Sequence, residues 1–181
     1  MIFTPTILPG SYVIDLHPHT DDRGWFARYY CKKEFEAIGH VKEWVQMNHS
    51  VTNKKGSIRG MHYQLPPFSE IKLVRCIAGV VFDIIVDLRR DSATFLQWFG
   101  QELSAENKKM LYIPEGFAHG FQCLSENCEL LYHHSEFYTP GFEGGIRYDD
   151  PVIKIQWPLP VSVLSERDTT HPYLDNQFKG L

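Results

Sequence analysis

Residues 57–74 read SIRGMHYQLPPFSEIKLV, and the fold turns on how they alternate. In an extended strand, successive side chains face opposite sides. Arg59, Met61 and Tyr63 then point one way, and Ile58, Gly60, His62 and Gln64 the other. Pro66 and Pro67 break the strand, because proline brings no N–H to a ladder. A second strand starts at Ile71, with Lys72 facing opposite to Ile71 and Leu73. A hairpin here would set His62, a proton acceptor near neutral pH, beside Lys72, a fixed positive charge. Carbon-acid chemistry needs that pair: one group takes the proton, the other holds the developing oxyanion. The plainer alternative is a surface strand pair whose His and Lys do nothing special.

Outward from this stretch, most segments also read as short strands: 11–16, 24–30, 44–50, 57–64, 71–78, 80–88, 98–103, 109–113, 118–123, 129–135 and 153–157. They are rich in β-branched and aromatic residues and are separated by Gly, Pro, Asn or Asp. The run VVFDIIVD at 80–87 is almost wholly apolar, so a central strand covered on both faces is expected there. A helix is expected at 32–38, closed by Gly39, and a helical turn after Ser104. Many short strands with turn signals between them predict an all-β antiparallel sandwich or barrel with a few short helices.

The 181 residues suffice for one substantial core, and a single domain over 1–181 is expected. The net charge of −4, with no long basic run, argues against a nucleic-acid or anionic-membrane surface. Cys31, Cys76, Cys123 and Cys128 form no CxxC pair, so reduced thiols and a cytoplasmic chain are expected. The first residues lack a basic stretch and are broken by Pro5 and Pro9, unlike a signal peptide. No apolar run approaches the roughly 20 residues that span a bilayer.

Several further side chains suit a site. Arg23, Trp25 and Phe26 flank a flexible glycine, which fits an anion beside a flat ring or merely a packed turn. Gln46 and Asn48 are two apart on a strand, so their amides share a face. Tyr132 lies in an apolar strand and would donate a proton from inside the barrel or tie its hydroxyl to backbone. His133 and His134 alternate in direction, so they cannot ligate one ion together on a regular strand. Asp168 follows the strands, where it would orient His62 or cap a helix. The spacing Pro114-x-Gly116-x-x-His119 matches the second signature of cupin jelly rolls. Such a barrel usually carries H-x-H where this chain has His62-x-Gln64. A metal there would have to accept His62, Gln64, His119 and Glu70, and Gln is a poor substitute for imidazole. No metal is therefore expected.

Taken together, DDRGWF (21–26), QMNHS (46–50), IRGMHYQ (58–64), KLVR (72–75), GVVFDIIVDLR (79–89), LSAENKKMLYIPEGFAHGF (103–121), LLYHHSEFYTP (130–140), DDPVIKIQWP (149–158) and LSERD (164–168) cover nearly the whole chain. In these segments the chain resembles the nucleotide-sugar 3,5-epimerases, the dTDP-4-dehydrorhamnose 3,5-epimerase family. The resemblance implies a cupin-like jelly-roll homodimer that uses no metal and no cofactor. Its substrate would be a nucleoside-diphospho-4-keto-6-deoxyhexose, inverted at C3 and C5, both alpha to the ketone. By matching position, His62 would be the base paired with Asp168, Lys72 would hold the C4 enolate oxygen, and Tyr132 would return a proton from the opposite face. Arg23, Gln46, Asn48, Arg59 and His119 would bind pyrophosphate, base and sugar, with Phe26 and Tyr138 flanking the ring.

One position departs from the pattern. Two residues past Phe26 the family usually carries an acid, and this chain carries Arg28. Thymine and uracil present an N–H at N3 and want an acceptor, whereas cytosine presents a bare N3 and wants a donor. The expected substrate is dTDP-linked, and a CDP-linked sugar stays open if Arg28 meets the base. Also open are inversion at one centre only, a metal-dependent cupin oxygenase, and a non-catalytic sugar-nucleotide-binding module.

Overall fold

In a computed structural model, every residue except Asn176 is described. The elements in chain order are β1 (Ile2–Pro5), β2 (Tyr12–Asp15), β3 (His19–Asp21), β4 (Gly24–Phe26), α1 (Lys32–Glu36), β5 (Gln46–Thr52), β6 (Ile58–Gln64), β7 (Lys72–Ala78), β8 (Val80–Asp87), β9 (Trp98–Ser104), β10 (Met110–Ile113), β11 (Phe117–Cys123), β12 (Cys128–His134), β13 (Glu143–Gly145) and α2 (Glu166–Thr170). One sheet runs β1-β2-β10-β7-β12-β5 and the other β13-β6-β11-β8-β9, while β3 and β4 form a separate hairpin. Adjacent strands pair antiparallel throughout, as in β11 with β8 and β12 with β7. The result is the expected all-β jelly-roll sandwich.

Period-two patterning explains how the sheets face each other. On β7, Val74 and Cys76 enter the core between the sheets, and Lys72 shares their side. Leu73 points outward, where it packs with Phe35 of α1. On β8, Val81 and Ile85 face the inter-sheet core, whereas Ile84 and Val86 face a second core. That second core is closed by Ile146, Ile153 and Ile155 from the chain beyond β13. The run at 80–87 is thus covered on both faces, as expected, although β8 is next to the edge of its sheet rather than at its centre.

Four expectations need correction. Segment 153–157 is not a strand: it packs irregularly over the outer face of β8, so its apolar pattern reports burial without pairing. The strand expected at 24–30 stops at Phe26, and the one expected at 44–50 runs instead from Gln46 to Thr52. Most consequential, β6 and β7 do not form a hairpin, because they belong to different sheets. The Pro-Pro segment carries the chain across the sandwich, so His62 and Lys72 meet from facing walls. The helix ending before Gly39 is present as α1, with Gly39 at φ +85°. After Ser104 there is a single turn, in which the Ser104 hydroxyl accepts the Asn107 N–H at 2.9 Å.

Strict alternation also fails inside β6. His62 pairs with His119, but Arg59 pairs with Phe121, so β6 carries one extra residue opposite β11. Gly60 sits in this bulge at φ +129°, and a Cβ there would lie 2.5 Å from the Gly120 Cα. Only glycine permits that approach and that backbone angle. The bulge brings Arg59 and His62, three apart, to the same cavity, where alternation alone sets them on opposite faces.

Candidate active site

A cavity of about 820 Å³ opens between the sheets, with His62 on the wall from β6 and Lys72 and Tyr132 on the wall from β7 and β12. The His62 Nε2 lies 2.6 Å from Asp168 Oδ1. A carboxylate only accepts, so Nε2 carries the ring proton and Nδ1 carries the lone pair. Among the described residues, Nδ1 has no protein partner. Asp168 is 3% exposed and also accepts the Gly60 N–H at 3.3 Å, a group that the bulge frees from the ladder. Burial pushes the pKa of this carboxyl up, but the bond from His62, with those from Gly60 and Ser165, leaves it below the ordinary aspartate value. Ser165 caps α2 and accepts the Asp168 N–H at 3.1 Å, which fixes the backbone that carries the acid.

Lys72 is 6% exposed, and its Nζ donates to the His62 carbonyl at 3.2 Å and pairs with Glu70 at 3.1 Å. Glu70 in turn accepts from His134 Nδ1 at 2.6 Å. The other His134 nitrogen, Nε2, accepts from the Asn48 amide at 3.2 Å, and Gln46 donates to Asn48 Oδ1 at 3.2 Å. This chain of bonds holds the ammonium in place from beneath. Burial pushes the Glu70 carboxyl up, and the His134 bond with the Lys72 charge more than reverses it, so Glu70 stays ionised.

The Tyr132 hydroxyl shares a hydrogen bond of 3.1 Å with Ser50. Its pKa is raised well above the ordinary tyrosine value, by burial first, so the phenol holds its proton near neutral pH. His119 Nε2 donates to Asp83 at 2.6 Å, and Asp83 is fully buried. Arg59 is held by Thr52 Oγ1 at 2.8 Å and the Val51 carbonyl at 3.1 Å. Tyr138 stands at the rim with its hydroxyl on Glu143, 2.9 Å away.

The expected site therefore divides. His62, Lys72, Tyr132, Asp168, Asn48, Arg59, His119 and Tyr138 all line one cavity, and Gln46 supports it through Asn48. Arg23, Phe26 and Arg28 do not line it: the Arg23 side chain is 89% exposed and bound to Asp21, Phe26 is 74% exposed, and Arg28 pairs with Glu34 at 2.9 Å. Two residues of the site carry no role in the expected set: His134, which stands two residues from Tyr132 and so shares its strand face, and Glu70, which lies just before β7 and pairs with Lys72. Asp83 gave no comparable signal, because its partner lies 36 residues away. The cupin metal set does not form. Gln64 spends its amide on the Phe68 and Phe137 carbonyls and the Thr139 N–H, and His119 is turned onto Asp83.

A family profile described as dTDP-4-dehydrorhamnose 3,5-epimerase matches residues 5–176. The chain belongs to the dTDP-4-dehydrorhamnose 3,5-epimerase family. It is 47% identical over 167 residues to that enzyme of Pseudomonas aeruginosa, covering 91% of each chain. The crystal structure of the Elizabethkingia anophelis enzyme superposes with a TM-score of 0.94 at 39% identity, covering 98% of both chains. A Legionella pneumophila 3,5-epimerase, solved in complex with dTDP-4-keto-L-rhamnose, gives 0.89 at 39% identity, covering 95% of this chain and 92% of that one. Membership makes the chain a carbohydrate epimerase of the isomerase class, built on a cupin-like sandwich. No described helix of this epimerase is long and apolar enough to cross a membrane.

Proposed function

We propose that this epimerase inverts C3 and C5 of dTDP-4-dehydro-6-deoxy-D-glucose by removing and returning protons alpha to the C4 ketone. The observation that carries the reading is the facing placement of one base and one acid around a buried ammonium. His62 stands on one sheet, oriented by Asp168; Tyr132 and Lys72 stand on the other. A proton beside a ketone is far too weakly acidic for free imidazole, so the enolate oxygen must be stabilised as it forms. The Lys72 ammonium, anchored by Glu70, does that. His62 Nδ1 takes the proton from one face of the sugar, and the Tyr132 phenol returns one from the other. Solvent then resets both groups.

Incubation with this sugar nucleotide in D₂O tests the reading. Deuterium at C5 and C3, seen by NMR, is expected. Deuterium at one carbon makes the chain a single-centre epimerase, and none at either rejects the proposal. Tyr132→Phe is expected to slow epimerisation more than exchange, because it removes the proton that is returned; equal losses would remove the role given to Tyr132.

Arg23, Phe26 and Arg28 stand away from this chain's own cavity, which favours their delivery by a second copy. β5 ends its sheet with a free edge, bears exposed Met47 and Val51, and lines the cavity through Asn48 and Ser50. A homodimer closed along that edge would cover the apolar side chains and bring the partner's β3–β4 hairpin to the nucleotide. The four free thiols suit a cytoplasmic enzyme. Arg28 already has a carboxylate partner in Glu34, which favours thymidine over cytidine. Calorimetric titration with dTDP, UDP and CDP should give the tightest binding for dTDP. Tightest binding of CDP would reverse the assignment and make Arg28 the reader of the base.

A further inference from the structure

We propose that His62, Asp168 and His171 form a binding site for a zinc ion, and that an ion held there silences the base. The effect on rate rests on the reading of His62 as the base; the binding does not.

One ligand atom from each of the three residues lies within 4.8 Å of the others. His62 Nε2 and His171 Nε2 approach Asp168 Oδ1 to 2.6 and 4.0 Å. His171 follows α2 as its C-cap, and its ring meets that of His62 edge-on, with centroids 5.8 Å apart. Its Nε2 is buried with no hydrogen-bond partner. A buried nitrogen left without a partner is costly to the fold, and no step of the epimerisation uses it. The fold makes room for this ring: a Cβ at Gly145 would lie 2.3 Å from His171 Nε2.

Two imidazoles and a carboxylate make a common zinc set, with bonds of about 2.0–2.2 Å and the fourth position open. Tetrahedral ligands at that length stand roughly 3.4 Å apart. The present Nε2–Oδ1 spacings, 2.6 and 4.0 Å, bracket that value. Zinc on His62 Nε2 takes the place of the ring proton. That proton moves to Nδ1, the atom that otherwise accepts from carbon, and the ring can no longer act as a base. This set shares only His62 with the cupin ligand positions, whose Gln64 and His119 are spent on other bonds.

The test starts from metal-free protein titrated with Co²⁺ alone. A visible four-coordinate absorption band that saturates at one equivalent, and that Zn²⁺ abolishes, is expected. Zn²⁺ should inhibit epimerisation, and EDTA should restore it. His171→Asn should keep the rate in zinc-free buffer and need roughly 10- to 100-fold more Zn²⁺ for the same inhibition. Ring-nitrogen NMR of the wild-type protein gives a readout that needs no variant: zinc should shift His62 and His171 before any other histidine. Unchanged zinc sensitivity in His171→Asn, no saturable Co²⁺ band, or first shifts at other histidines overturns the site. A chain that binds Co²⁺ this way yet shows no exchange with any 4-keto sugar keeps the site and loses the epimerase reading.

Discussion

His62→Ala is expected to abolish deuterium incorporation at both C3 and C5, with a loss of roughly 100- to 10,000-fold in rate. On the proposed mechanism the same nitrogen serves both carbons, since both lie beside the one ketone and Tyr132 stands on the opposite sheet. Removing the ring leaves Asp168 without its main partner, but the Gly60 and Ser165 bonds still hold α2 in place. The variant should therefore fold and bind dTDP like the wild-type protein. NMR in D₂O decides the matter. Near-normal exchange in a folded variant would remove the base assignment, and exchange lost at one carbon alone would require a second base for the other.

Lys72→Met should lower the rate of exchange by roughly 100- to 1,000-fold, the value of one well-placed oxyanion donor. The loss should fall on kcat with little change in KM, because the ammonium matters most when the C4 oxygen carries charge. The substitution also leaves Glu70 buried beside only His134, and breaking a buried ion pair is costly to stability in its own right. A second change separates the two effects. Glu70→Gln on top of Lys72→Met removes the unpaired charge, so the double variant should regain thermal stability without regaining rate. Recovery of rate in the double variant would mean that Lys72 serves the structure and not the reaction.

Much of this site could be read along the chain because its parts obey local rules. Lys72, Val74 and Cys76 share a face by alternation, and so do Tyr132 and His134. The same rule sends His133 to the outer face, where its Nε2 meets the Tyr29 hydroxyl at 3.3 Å. The rule breaks where the backbone does. The bulge at Gly60 turns Arg59 and His62 to one side, and nothing in IRGMHYQ except the glycine announces it. Segment 153–157 shows the reverse failure: its apolar residues are buried as a strand's would be, but against a sheet face with no ladder to join.

What the amino-acid order determined by itself was composition, strand periodicity and short spacings: an all-β sandwich, with an imidazole, an ammonium, a phenol and a carboxylate as candidates whose roles came from the family resemblance rather than from the spacing. Only the tertiary structure decided which of them meet. It set His62 across the sandwich from Lys72 rather than beside it, paired His119 with Asp83, left Arg23, Phe26 and Arg28 outside the cavity, and laid His171 against Asp168. The physical reason is the range of the forces involved. Backbone sterics and alternation act over a few residues, whereas a hydrogen bond or an ion pair between strands depends on how two sheets pack, which no local pattern encodes.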